Sequence, residues 1–489
     1  MSIDYALLFR VLLPEALLTA TALLVIGVDL VWGGGRSRGS RLQMAVGAGL
    51  LGVGVAALVI WQDGAQGSVW AGNLRVDLLA VAVRLGVLGL TGLSLLGLTG
   101  SRVSDQPAEY VALALLATVG FLQMAVAQNL LLAFLALELA SLSLYVLAGY
   151  DRSRPESAEA ALKYFLQGGV SAALLLFGFS LLYGMTGRID LTGISVALAA
   201  HADGSLSAVA VGMVLAAFGF KAAVAPFHPW APDVYQGAPP MSAALIASAA
   251  KLAGLAFFWR IFWSGLGPLA ATAPLTGGAG GGWVPVLAAM CAVSLLLGNL
   301  VALAQSSVRR LLAYSAIGHA GALGLGLLSA GEVGPGPLFY YAATYGLATV
   351  GAFTCLALLD RAGDGDRIED LAGLRRRSPL LAACLAVFVL SLAGIPPLAG
   401  FFGKFVVFAA AFRIDGLGHP AGWVALLAIA MSAVALYYYL ILLKQAWIAE
   451  DVRGRGAIEV PPAAALGLVL AAGLLVVLGA FPSLLLGRF

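Results

Sequence analysis

FGFKAAVAPFHPWAPD, residues 218–233, decides how this chain must be read. It closes an apolar run that begins near residue 205, yet it carries Lys221, His228 and three prolines. Proline lacks the backbone donor and breaks a helix, here at Pro226 and Pro229. Inside a bilayer, broken backbone is tolerated only where protein or a water-filled cavity surrounds it. A second stretch of the same kind, SLAGIPPLAGFFGK at 391–404, places Pro396 and Pro397 in an apolar run that also carries Lys404.

Composition agrees with a membrane setting. Of 489 residues, 61% are hydrophobic and 10% charged, and the mean hydropathy is +0.98. A soluble chain carries about 25% charged residues, so the solvent of this one must be mostly lipid. The net charge of +3 is small and its basic residues lie scattered in short loops, which argues against a nucleic-acid partner. Cys291, Cys355 and Cys384 are far apart in apolar runs and read as small buried core thiols. The four histidines are equally dispersed. No metal motif, Walker A loop or dinucleotide fingerprint is present, so we expect no cofactor and no metal in this chain. The run Gly277–Gly282 reads as a flexible loop. The start, MSIDYALLFR, has no basic region of a cleavable signal.

Crossing a bilayer takes about 20 apolar residues. Such runs recur at 8–32, 42–61, 77–99, 109–127, 129–149, 161–184, 205–226, 239–262, 284–305, 311–330, 336–360, 379–412, 421–446 and 461–485, which predicts an all-α polytopic membrane protein of fourteen spans. Gln128 and Asn129 mark the turn between the fourth and fifth. Fifteen arginines lie in connections after odd-numbered spans and four on the other side. By the positive-inside rule the odd-side loops are cytoplasmic, and both termini are expected on the periplasmic side. The interrupted spans are the seventh and twelfth, which enter from opposite sides. This predicts three N-terminal spans (1–108), a five-helix unit (109–262), a second unit of inverted topology (284–446) and a last span (461–489). Inverted repeats with breaks near the midplane are a transporter feature; the alternative is two unrelated packing kinks.

Lysine placement is the sharpest chemical signal. Only five of the 27 basic residues are lysines, and Lys163, Lys221, Lys251 and Lys404 fall within predicted spans, whereas loops use arginine. Arginine stays charged in proteins, but a buried lysine can release its proton. A proton path needs groups able to hold both states. Glu138 lies mid-span in the fifth run, Lys251 near the centre of the eighth and His319 mid-span in the tenth. A charge at the bilayer centre costs about 2.5–3.5 kcal/mol on insertion scales, so several such groups imply a role. Lys163 lies in the predicted first turn of the sixth run, where it can snorkel to the interface. His228 is placed either to gate a channel or to cap the loop. Glu15, Asp29 and Arg84 sit nearer span ends and read as structural. Tyr437, Tyr438 and Tyr439 read as packing or an interfacial belt. In the expected mechanism Glu138 holds Lys221 charged until the carboxylate moves, Lys251 and His319 relay protons, and Lys404 controls exit. Moving one charge against 100 mV costs about 2.3 kcal/mol, and the energy must come from a partner or an opposing ion gradient.

The segments LALELASLSLYVLAGY (135–150), EAALKYFLQGGVSAALLLFGFSLLYGMTG (159–187), FKAAVAPFHPWAPDVYQGAP (220–239), RRLLAYSAIGHAG (309–321) and LAGIPPLAGFFGKF (392–405) resemble the subunit N family of the proton-pumping NADH–quinone oxidoreductases, bacterial complex I. The resemblance implies fourteen helices with inverted five-helix repeats. It also implies that the family's key glutamate and lysine fall on Glu138 and Lys221, and its further lysines on Lys163, Lys251 and Lys404. Lysine at 404 separates this pattern from the related subunit M, which carries glutamate there. Pro240-Met241 departs from a threonine-rich stretch in the family. The implied partners are other membrane subunits, antiporter-like ones included, in a bacterial inner membrane. FMN, iron–sulfur clusters and quinone would belong to other chains, so the enzyme is the complex, and this chain brings no redox site. Two rivals remain: a subunit of a multi-subunit sodium–proton antiporter, and a non-conducting scaffold. Sodium favours oxygen ligands, and the core offers more lysine than carboxylate.

Overall fold

The computed structural model describes residues 4–63, 66–102, 106–200, 204–271 and 282–487. Most of the glycine run 277–282 therefore lies outside the described residues.

Fourteen spans are present among the described residues, built because long apolar runs must satisfy their backbone internally in lipid. Spans one to six are Tyr5–Trp32, Arg38–Asp63, Leu78–Leu98, Pro107–Val126, Leu130–Ala148 and Pro155–Thr186. Span seven is Gly204–Ala222, continued beyond its break by Trp230–Gly237. Span eight is Pro240–Ala247 joined to Ala249–Trp259 and ends in a π-turn, Arg260–Gly265. Spans nine to eleven are Val284–Ala302, Val308–Val333 and Gly336–Arg361. Span twelve is split into Pro379–Ala393 and Ala399–Asp415; thirteen is Pro420–Trp447 and fourteen Pro462–Ala480. Among the described residues, thirteen helical segments are long and apolar enough to cross a membrane by themselves, and the halved twelfth span supplies the remaining crossing.

Local chemistry sets the boundaries. Proline opens spans four, six, eight, twelve, thirteen and fourteen, where its missing donor costs nothing. Asn129 caps span five by accepting from the Leu131 and Leu132 amides, as the expected turn requires. Span six starts at Pro155, six residues earlier than its hydropathy indicates, because its first turns, PESAEA, are polar. Lys163 is therefore two turns into the helix, not in its first turn. Two small elements were not legible: a hairpin pairing Gly67–Val69 with Leu74–Val76, and a short helix, Leu191–Ala200.

Burial sorts the spans into an inner and an outer set. In spans eight, ten and eleven nearly all residues are buried, while one, six, thirteen and fourteen turn most of theirs outward. Two charge pairs lock the periphery, the first buried on both sides and the second on its arginine side. Arg84 on span three donates to both Glu15 carboxylate oxygens at 2.7 Å, and Arg260 in the π-turn donates to Asp77, the cap of span three, at 2.8 Å. Asp29 pairs with Arg41. The structural reading of Glu15, Arg84 and Asp29 matches these contacts.

Candidate functional site

Each break leaves backbone groups that its surroundings satisfy. After Ala222 the chain turns through Ala223 in the left-handed region. The Ala225 amide donates to Ser294 Oγ on span nine at 2.8 Å, and the Trp230 indole donates to the Phe220 carbonyl at 3.1 Å. Pro226 and Pro229 sit in this segment, and His228 Nδ1 is buried there without a protein partner. In span twelve the first half ends at Gly394, whose φ of +86° suits glycine. Pro396 and Pro397 follow, and the Gly400 amide donates to Ser391 Oγ at 3.2 Å.

The lysines face these breaks from inside. Lys221 is in the last helical turn before the first break, and Lys404 in the second turn after the other. Lys221, Lys251, Lys404 and His319 are each less than a tenth exposed. Lys221 Nζ donates to Ser141 Oγ on span five at 3.2 Å. That hydroxyl donates to the Leu137 carbonyl at 2.7 Å, which leaves its lone pair toward the ammonium. Glu138 is one turn away on the same helix, near enough to interact electrostatically with Lys221, but no ion pair joins the two side chains. Its Oε1 is buried and has no hydrogen-bond partner.

Span eight carries the row onward. Gly254 permits its close approach to span seven: a Cβ there would lie 3.2 Å from Lys221 Cγ. One turn earlier, Lys251 Nζ donates to the Ala316 carbonyl of span ten at 3.0 Å and lies 5.1 Å from the centre of the Tyr345 ring. Span eight is itself interrupted at Ser248, three residues before Lys251. Serine is no helix breaker, so the sequence carries no signal for this joint.

His319 sits one turn beyond Ala316. Its Nδ1 is 2.6 Å from Tyr341 Oη and its Nε2 is 3.2 Å from Tyr439 Oη. A neutral imidazole donates through one nitrogen and accepts at the other, so exchange of tautomers moves a proton from one hydroxyl to the next. Tyr439 also bonds Ser315, and Tyr438 donates to Asn299 Oδ1 at 3.0 Å. Lys404 Nζ donates to the Ala393 carbonyl, freed by the break, at 3.0 Å. Electrostatic interaction links His319 to both Lys404 and Lys251.

The family model described as NADH:quinone oxidoreductase/Mrp antiporter, TM, matches residues 127–433, which hold this whole row. "NADH-quinone oxidoreductase subunit N 2" of Acidobacterium capsulatum is 44% identical over 99% of each chain. The chain belongs to the NADH–quinone oxidoreductase subunit N family. A second such relative, "subunit N 1" of Roseiflexus castenholzii, is 38% identical over 97% of this chain and 96% of its own. Among solved structures, a chain of respiratory complex I from Thermus thermophilus superposes with a TM-score of 0.80 at 36% identity, covering 97% of this chain and 98% of that one. A chain of the Mrp complex from Dietzia matches with a TM-score of 0.80 at 21% identity, covering 97% and 96%, and shares the fold.

In this subunit N chain the three tyrosines divide and Lys163 stands apart. Tyr438 and Tyr439 are at most 1% exposed and follow the packing alternative, with Tyr439 bonded to the histidine, while Tyr437 is 64% exposed. Adjacent helical residues face different ways, and a run of three identical side chains hides that split from the sequence. Lys163 does not join the buried row. Its ammonium meets Glu159 and Asp233, each at 2.6 Å, and Asp233 also binds Arg310 at 2.8 Å. Ser141, Tyr341, Tyr345 and Asp233 were not singled out in the sequence, since nothing in their local pattern separates them from packing residues. Among the described residues, no group of three His, Cys, Asp or Glu could hold a metal ion.

Proposed function

We propose that this chain is the antiporter-like subunit N of a respiratory NADH–quinone oxidoreductase and carries protons across the membrane, driven by electron transfer from NADH to quinone in other subunits. One observation carries the mechanism. Ser141, Lys221, Lys251, His319 and Lys404 form a row of buried proton-bearing groups that runs between two helix breaks. Protonatable groups buried in a membrane core mark ion paths, and full-length similarity to subunit N chains names the complex.

The residues act as follows. Glu138 holds the Lys221 ammonium from across its own helix turn. Displacing the carboxylate sends the proton toward Lys251. Lys251 hands it to the Tyr345–His319 region, His319 passes it between Tyr341 and Tyr439, and Lys404 releases it beside the second break. Where consecutive groups are too far apart for a direct hydrogen bond, bridging water carries the proton. His228 lies at the first break as a gating residue. Lys163 serves at the rim, tied to Asp233, and shapes entry rather than relaying.

The units 109–262 and 284–446 are the two inverted repeats, flanked by 1–108 and 461–489. Both termini face the periplasm of a bacterial inner membrane, following the arginine bias. Partners are the other membrane subunits of the complex, related antiporter-like chains among them. FMN, iron–sulfur clusters and quinone reside in partner chains and no redox group in this one.

The test is proton pumping by the whole complex in sealed vesicles after Lys221→Ala, with assembly checked by subunit content. Proton yield per NADH oxidised is expected to fall. Full pumping by an intact assembly favours a scaffold instead, and NADH-independent exchange of sodium for protons favours an antiporter subunit.

A further inference from the structure

A large cavity lies outside the buried row. It has a volume of about 1470 Å³ and opens at the arginine-rich ends of the spans. Its wall draws on the start of span two, the loops after spans three and five, the end of span eleven and the approach to span fourteen. Five arginines line it (Arg38, Arg102, Arg152, Arg154 and Arg361) against two aspartates, Asp151 and Asp360.

Those aspartates form no ion pair with the cavity's arginines among the described residues. Asp360 is ion-paired with the buried Arg309 at 3.5 Å. Asp151 accepts from the Ser153 amide and hydroxyl. Among the described residues, Arg102 and Arg361 donate only to the backbone carbonyls of Arg361 and Thr99, and Arg152 makes no ion pair. Three guanidinium groups thus converge on one cavity, none of them ion-paired among the described residues. Guanidinium matches the oxygens of a phosphate in bidentate geometry.

Below the cavity the surface turns apolar. Val146 on span five and Leu42 on span two line its edge. From there Leu142, Leu139 and Leu135 descend the same face of span five, all exposed. Spans two and five both pack against span four, most of which is buried. A phosphate seated among the arginines would therefore have a hydrocarbon-facing surface beneath it on span five.

We propose that this cavity binds the phosphate headgroup of an anionic phospholipid, with its acyl chains lying along span five. A basic pocket between spans on the positive side is suited to such a ligand. The proposal rests on the function above only for which leaflet supplies the lipid; the binding itself is read without pumping.

The test compares the purified complex with one carrying Arg102→Gln, Arg152→Gln and Arg361→Gln together. Both are stripped in mild detergent, then exposed to vesicles of phosphatidylglycerol or phosphatidylcholine, with and without inorganic phosphate. Lipid per complex is read by native mass spectrometry. The wild type is expected to retain about one more phosphatidylglycerol than the triple variant, to show no such difference for phosphatidylcholine, and to resist displacement by phosphate. Arg152→Gln alone, an exposed change, is expected to weaken retention without disturbing assembly, and Arg152→Lys to weaken it less. Equal retention by wild type and both Gln variants overturns the proposal. Displacement by inorganic phosphate at lipid-like affinity makes it a free-anion site, and loss of a neighbouring subunit at unchanged lipid content makes it a protein contact; either result overturns it.

Discussion

The two broken spans hold their lysines in opposite order and unlike company. In span seven, Lys221 precedes the break, meets the Ser141 hydroxyl and feels the Glu138 carboxylate one helix turn away. In span twelve, Lys404 follows the break and rests on the Ala393 carbonyl, with a histidine and tyrosines as its wider company. The first arrangement has a carboxylate as counter-charge. The second has a backbone carbonyl and neutral hydroxyls around it. Similar backbone devices thus hold their lysines in different company, and under the proposed mechanism the first loads the proton and the second releases it.

Removing the counter-charge tests that contrast most severely. Glu138→Ala is expected to cut proton flux on the order of tenfold or more, since charge coupling of roughly 1–3 kcal/mol translates into that range. Glu138→Gln, equal in shape, should fall as far. Vesicle acidification per NADH oxidised measures both, and retention of flux by the Gln variant would make the carboxylate a packing group. Lys404→Ala is expected to lose flux nearly as strongly, but Lys404→Arg is informative in another way. Arginine keeps the charge yet cannot release it, so pumping should fail while assembly survives; normal pumping by the Arg variant would assign Lys404 an electrostatic role only.

Smaller effects probe the neutral relay. Tyr439→Phe removes one hydrogen bond to His319, worth about 0.5–1.5 kcal/mol, and is expected to slow pumping by roughly two- to tenfold. Tyr437→Phe, at the exposed neighbour, should change nothing. Equal effects of the two would return the tyrosines to a packing role.

How much of this was legible in the sequence follows from what hydropathy and breakers encode. Fourteen apolar runs, the Asn129 turn and both proline breaks follow from one-dimensional pattern, because lipid imposes length and proline removes a donor. The inward placement of Lys221, Lys251 and Lys404 was also readable, since their spans leave a charged residue nowhere else to go. Hidden from it were facts that depend on which helix neighbours which. Ser141 and Tyr341 matter only because span seven crosses span five and span eleven reaches His319. The Ser248 joint carries no breaker. Lys163 was placed too near its helix end because a polar first turn looks like loop on a hydropathy scale.

Whether protons pass through the centre of the row, where Lys251 reaches across to span ten, decides the proposed mechanism. The direct measurement is the number of protons moved per NADH oxidised by complexes carrying Lys251→Ala in sealed vesicles, with uncoupled electron transfer followed in the same preparation. We predict a lowered proton yield with assembled, electron-transferring complexes. An unchanged yield would contradict a path through the buried lysines.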